Sequence, residues 1–250
     1  SGKFLSIVNN KKFAKSEYQE LVAVASAIEA IHTYSLIHDD LPAMDNSSTR
    51  RGKPSNHIKF DTHTAILAGD ALLSWAFQII GDCSLIRDPR KRSEISFVLA
   101  KAIGPYGMVG GQQADMDLNT KSSLGLEQIE WIQNHKTGAL ISSCSHVASI
   151  LLNVNDAQKE KIISYASNIG LAFQIADDLL DKEGDEIVMG KPVMQDDKNE
   201  TPNFVTILGR EKAAQKALEV SKVAISIIQN FQHGTENLVS LAKYTVNRNY

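Results

Sequence analysis

Two aspartate clusters are the residues best placed to do chemistry. They read His38-Asp39-Asp40-Leu41-Pro42-Ala43-Met44-Asp45-Asn46 and Gln174-Ile175-Ala176-Asp177-Asp178-Leu179-Leu180-Asp181. Each closes a long apolar segment with helical spacing, where solvated acids are not expected. Carboxylates crowded at the mouth of an apolar fold repel one another unless a cation neutralises them. Hard oxygen ligands in this number suit magnesium, usually shared with substrate phosphates. Arg50-Arg51-Gly52-Lys53 follows the first cluster directly. The two guanidinium groups can fork onto diphosphate oxygens, and Lys53 offers a point charge. One cluster alone would read equally well as a solvated acidic helix end. Two clusters beside an arginine pair favour a metal–diphosphate site.

Spacing assigns roles within each cluster. Asp177 and Asp181 are four apart, on one helix face, while Asp178 points aside and can orient them from behind. In the first cluster Pro42 breaks the helix, so Asp45 must come back from an irregular turn. The negative end of each helix dipole also favours a cation there. An EF-hand fits poorly, because the stretch from Asp177 lacks alternating oxygen ligands and a bidentate Glu. Gly190-Lys191-Pro192 and Lys198 lie in a polar loop, Gly184 to Asn203, which reads as mobile and as a possible lid. His135-Lys136-Thr137-Gly138 interrupts a long apolar helix, and a buried lysine there needs a partner that a phosphate would supply. His32 and His38 read as packed core histidines or as supports of the first cluster.

The elements that must carry these residues are nearly all helices. Helical spacing runs from Glu17 to Leu41, ended by Pro42, and from Asp61 to Ile80, stopped by Gly81. Asp88-Pro89 places an N-cap before a proline in the first turn, and that helix ends near Gly104-Pro105. A further segment holds Gly110-Gly111-Gln112-Gln113-Ala114-Asp115. One long helix is predicted from Leu126 to Leu152. Asn155-Asp156-Ala157-Gln158 resembles a capping box and opens the helix that reaches the second cluster. Two more helices follow Pro202 and Gly209. No strand alternation, linker or short repeat is visible, so residues 1–250 are read as one domain. A weak symmetry pairs two long helices, each ending in an aspartate cluster.

Composition bounds the function classes. A chain of 250 residues with 43% hydrophobic content can bury a sizeable core. A net charge of −3 gives no reason to expect nucleic acid or an anionic membrane surface. Cys83 and Cys144, in apolar stretches, read as small buried residues of a reducing, cytoplasmic compartment. No apolar run reads as a membrane span, since Asp70 breaks the most hydrophobic stretch, Ala65 to Ile80. The opening at Ser1-Gly2-Lys3 suggests a natural start upstream.

Taken together, the two Asp motifs, Arg50-Arg51-Gly52, Gly110-Gly111-Gln112, Lys136-Thr137-Gly138 and Gly190-Lys191-Pro192 resemble the trans-isoprenyl diphosphate synthases, in particular bacterial farnesyl and geranyl diphosphate synthases. The resemblance covers essentially the whole chain. It implies an all-α fold, a single large helical bundle with a central cavity. It also implies that Asp39, Asp45, Asp177 and Asp181 hold three magnesium ions on an allylic diphosphate, supported by Asp40, Asp178, Gln112 and Asp115. Arg50, Lys136 and Lys191 would grip that diphosphate. Thr137 and Gln174 would shield the carbocation left when it departs. Isopentenyl diphosphate would sit on Lys3, His32 and Arg51 without metal. Tyr34, five residues before Asp39 and roughly 7.5 Å deeper along a helix, would limit chain length. The implied product is farnesyl diphosphate, made by a cytoplasmic homodimer without stable membrane insertion and without nucleic acid.

Three departures from the family pattern stand out. Ser1-Gly2-Lys3-Phe4-Leu5-Ser6 lacks the arginine expected beside the second substrate, which favours residues missing between Lys3 and Phe4 over an impaired site. The family's first helices are not in the sequence. Thr201 stands where relatives often carry a loop lysine, and Ser47-Ser48-Thr49 replaces a common Asp-Asp-Leu. Competing readings are a geranylgeranyl diphosphate synthase, an HD-type metal-dependent phosphohydrolase built on His38-Asp39, and a non-catalytic subunit, which should have lost one Asp motif.

Overall fold

The computed structural model describes residues 14–118, 125–181, 202–231 and 235–248. They form two compact units, one of residues 14–96 and one of the described residues from 97 onward. Apart from one two-residue hairpin, the described elements are helices, so the all-α expectation holds.

The first unit is built on α1 (Lys15–Asp39), which packs along α3 (Thr62–Gly81). The buried stripe of α1, Val24, Ala27, Ile31 and Tyr34, repeats at three- and four-residue intervals. Ala65, Gly69, Ala76 and Ile80 form the matching stripe on α3. Small residues on both sides let the two backbones approach closely. The Asp61 carboxylate caps α3, accepting the Thr64 N–H at 2.7 Å. Between α1 and α3 lie β1 (Thr49–Arg50), β2 (Lys53–Pro54) and the one-turn α2 (Asn56–Lys59). The hairpin pairs Thr49 with Pro54 and Arg50 with Lys53. Its two-residue loop puts Arg51 and Gly52 at φ 51° and 71°, the double left-handed turn that matches strand twist. The sequence contains no alternation that would announce strands this short. α4 (Pro89–Ile103) starts as expected, with the Asp88 carboxylate accepting the Arg90 N–H.

In the second unit α8 (Asp156–Asp181) packs against α7 (Ala139–Leu151) and α10 (Arg210–Gln229). Asn155 caps α8 as expected, its side-chain oxygen accepting the Gln158 N–H, while its amide donates to Gln158 Oε1 side chain to side chain. α9 (Phe204–Leu208) passes into α10 at Gly209, whose φ of 77° suits glycine. The core joins Ile129 and Ile132 of α6 (Leu126–Gln133), Ile175 of α8, Phe204 and Val205 of α9, and Ala213 and Ala217 of α10. α11 (Glu236–Asn247) is a further helix beyond those expected, its buried Leu238, Ala242 and Thr245 repeating at helical spacing. It is fastened by Tyr165 Oη donating to the Leu238 carbonyl and Ser221 Oγ donating to the Ala242 carbonyl.

The predicted helix from Leu126 to Leu152 is continuous in direction but changes winding. Asn134–Gly138 forms a π-helical turn between α6 and α7. Such turns are rare and concentrate at functional sites. α5 (Met108–Leu118) lies directly on it: a Cβ added at Gly111 would come within 2.2 Å of the Lys136 amide nitrogen. Gly170 of α8 approaches it as well, an added Cβ there meeting Gly138 Cα at 3.2 Å.

Two expectations need correction. Cys83 is exposed and Cys144 half-buried, both as free thiols, because Cys83 lies just beyond the end of α3 rather than on its packed stripe. α1 and α3 are each long and apolar enough, by length and composition alone, to cross a membrane. Asp70 is too isolated to change that average, and core helices of water-soluble proteins pass the same test.

The close approach at Gly111 gives a stability prediction. Gly111→Ala should destabilise the protein by about 1–3 kcal/mol, a typical cost of overpacking, seen as a lower urea midpoint. An unchanged midpoint would mean that α5 and the π turn can part without cost.

Candidate active site

In the first motif, α1 ends at Asp39 and the chain folds back on itself. The Leu41 N–H reaches the His38 carbonyl, the Met44 and Asn46 N–H groups reach the Leu41 carbonyl, and Asn46 takes a φ of 49°. This turn brings Asp45 back as anticipated, its N–H donating to the Asp39 carbonyl at 3.0 Å. Asp39 and Asp45 therefore leave adjoining backbone, as two ligands of one cation require. Asp40 is different. It is only 2% exposed, and Arg50 grips it with Nη2 at 2.5 Å and Nε at 3.1 Å.

Arg50 was expected to hold diphosphate, yet in this structure its fork is engaged by Asp40. Burial works against its charge. The hydrogen bond and attraction from Asp40, then Asp39 and Asp45, outweigh that and hold its pKa above the ordinary value. The same carboxylates thus surround Arg50. Arg51 is exposed at the hairpin tip. His32, one side of α1 over, is half-buried. Burial pushes its pKa down, Glu29 partly offsets this, and Arg51 and Arg50 push it further down. His32 and both arginines therefore share one electrostatic neighbourhood.

Tyr34 is buried in the core stripe, and its ring stands edge-on to His38, centroids 5.7 Å apart. His38 Nε2 meets the Ile66 carbonyl of α3 at 3.0 Å. That nitrogen is thereby engaged with backbone rather than held for a metal, which disfavours the HD-type reading.

In the second motif, α8 ends at Asp181, and its three carboxylates differ in setting. Asp177 is the most accessible, its side chain 35% exposed, and Arg248 Nη2 donates to it at 3.1 Å. The same guanidinium lies 3.9 Å over the Phe173 ring and donates to the Phe173 carbonyl. Asp178 is 7% exposed, and its Oδ2 accepts the Phe204 N–H at the start of α9. It supports the motif from behind by tying α8 to the next element. Asp181 is also 7% exposed.

Lys136 projects from the π turn to Asp115 of α5, Nζ to Oδ2 at 2.5 Å. The partner that a buried lysine requires is thus a carboxylate within the fold. Gln174 donates to Gln133 Oε1 at 2.6 Å. Thr137 is half-buried on the same turn, and Gln112 lies one residue past the close approach at Gly111. Arg248 and Gln133 were not singled out from the sequence. Arg248 stands 71 residues from Asp177, and no local pattern links them. Lys3, Lys191, Lys198 and Thr201, with most of the 184–203 loop, lie outside the described residues.

Among the described residues no three His, Cys, Asp or Glu side chains converge as a ready-made metal cage. The donors nevertheless fit magnesium. Asp39 and Asp45 offer hard oxygens from a fixed turn, and an ion that keeps several waters and takes only one or two protein carboxylates needs no closed cage.

Comparison with known proteins follows the same residues. The chain is 47% identical over 194 residues to farnesyl diphosphate synthase of Geobacillus stearothermophilus, covering 77% of this chain and 65% of that enzyme. It is 45% identical to farnesyl diphosphate synthase of Micrococcus luteus, covering 89% and 76%. A crystal structure of geranyltransferase from Helicobacter pylori, complexed with magnesium and isoprenyl diphosphate, matches at a TM-score of 0.80 and 28% identity, covering 98% and 86%. The chain spans less than two thirds of the Geobacillus enzyme's length. Residues 3–240 match the polyprenyl synthetase family, and with these relatives the match shows that the chain belongs to it.

Proposed function

We propose that the chain is the catalytic part of a short-chain prenyltransferase that condenses isopentenyl diphosphate with dimethylallyl and geranyl diphosphate to give farnesyl diphosphate. The observation that carries this reading is the first-motif turn, where Asp45 returns to Asp39 while Arg50 is clamped on Asp40. Family membership supports it. Magnesium, when bound by Asp39 and Asp45 and by Asp177 and Asp181, would offset the charge that gathers on the diphosphate oxygens as the allylic C–O bond breaks; three ions are expected.

The protein's own groups would do the rest. The bond's electron pair leaves with diphosphate, whose oxygens Arg50, Lys136 and Lys191 would hold. Lys136 would exchange Asp115 for phosphate, with Gln112 alongside. Thr137 and Gln174 would face the allylic cation and keep water from it. Isopentenyl diphosphate, on Lys3, His32 and Arg51, attacks through its double bond to form the new C–C bond. The proton then lost from carbon passes to the departed diphosphate. We place the enzyme in the cytoplasm as a homodimer, a state in keeping with the exposed Leu67 and Trp75 on α3.

Two outcomes are expected. Chelation should abolish prenyl transfer and added magnesium restore it, and Asp39→Ala should lower kcat by about 10³-fold or more, the scale of losing a main electrostatic group; near-normal turnover of that variant in excess magnesium would remove Asp39 from the metal site. Tyr34→Ala should lengthen the product to geranylgeranyl diphosphate or beyond, read by chromatography of labelled products. An active variant with unchanged product length would place the floor of the pocket elsewhere.

A further inference from the structure

Gly69 has no backbone reason to be glycine. It sits in the middle of α3, its φ is not in the left-handed region, and a helix interior disfavours glycine. Its reason is space. A Cβ at residue 69 would lie 2.0 Å from His38 Nε2, 2.4 Å from Cδ2 and 2.7 Å from Cε1. Those distances are far inside contact, so a side chain at residue 69 would force the imidazole out of its present position. The imidazole therefore lies in the notch left by the missing side chain.

The notch also explains the hydrogen bond. The Ile66 carbonyl is inside α3 and has its regular partner four residues on. A carbonyl has a second lone pair, but side chains normally cover it. Without a side chain at residue 69 the imidazole reaches in to 3.0 Å. The acceptor is a carbonyl, so Nε2 must be the donor, which fixes the tautomer. The Tyr34 ring closes on the imidazole edge-on, one turn earlier on α1. His38 is thus held by a steric notch, a directed hydrogen bond and an aromatic edge.

What it holds is the last turn of α1. Asp39 is the next residue, and the His38 carbonyl accepts the Leu41 N–H that begins the fold-back bringing Asp45 to Asp39. We propose that His38, seated in the notch at Gly69 of α3, is a positioning residue that fixes where the first-motif carboxylates and the Tyr34 ring stand. The inference rests on the prenyltransferase reading for its functional consequence, but not for its structural one. Groups that orient metal-binding side chains typically change metal affinity or activity about 10- to 100-fold when removed.

Four variants test it: His38→Ala, His38→Gln, Gly69→Ala and the double variant His38→Ala with Gly69→Ala. Gln carries an amide N–H near the place of Nε2. His38→Ala and Gly69→Ala should each raise the magnesium concentration for half-maximal activity and lower kcat by about 10-fold or more, with His38→Gln recovering much of the loss. The double variant should be no worse than His38→Ala, because the added Cβ falls where the ring was. Additive losses in the double variant would overturn the notch. A lowered Tm in His38→Ala with kcat, KM and magnesium dependence all unchanged would reduce His38 to a packing residue and overturn the positioning role. If the unaltered protein transfers no prenyl group, the activity reading fails, while the notch is still decided by melting: Gly69→Ala must lower Tm in the native background and not in His38→Ala.

Discussion

The structure depends on how carboxylates are tolerated at the C-terminal ends of long helices. Both aspartate clusters stand where the helix dipole is negative and where their own charges repel. In each cluster the middle residue is taken out of that conflict by a partner within its own unit. Asp40 is buried against the Arg50 guanidinium, and Asp178 against the backbone N–H that begins α9. The outer residues keep the shape of the motif, one pair through a fold-back turn and the other through one turn of α8. Arg248 on Asp177 and Asp115 on Lys136 extend the same logic, with protein charges meeting protein charges. Such pairs hold side chains in place and set the competition that any incoming diphosphate or cation must win.

Close backbone approach is the second theme. Gly111 lets α5 touch the π turn, Gly170 lets α8 touch it, and Gly69 makes room for His38. In each case a missing Cβ allows a functional candidate to be positioned by rigid neighbours. The glycines are therefore part of the candidate site although none carries a reacting group.

Much of this was legible in the sequence because the signals were local. The caps at Asp61, Asp88 and Asn155, the stops at Pro42 and Gly81, and the return of Asp45 all follow from residues within a few positions of one another. What escaped was nonlocal or too short to form a pattern. The hairpin has two residues per strand, too few for alternation. α11 is the exception, since its buried residues Leu238, Ala242 and Thr245 repeat at helical spacing and the signal was present in the sequence. The partners of Arg50 and Lys136 could be foreseen as anions but not as Asp40 and Asp115, since phosphate and carboxylate satisfy an arginine or a lysine alike. The apolar length of α3 was under-read for another reason: one aspartate in a long alanine- and leucine-rich helix hardly changes its average.

The π turn has a consequence for what changes in length the chain can accept. A π turn is an α-helix with one surplus residue, so the helix on either side is offset by about 100° from the phase it would otherwise have. Removing a single residue from Asn134–Gly138 would give a more regular helix and better local hydrogen bonding. It would also rotate all of α6 against α7, carrying Ile129 and Ile132 away from Ile175 and Phe204. The surplus residue is thus locked in by the packing of both flanks, and a homologue that lacked it would need compensating changes along an entire helix face.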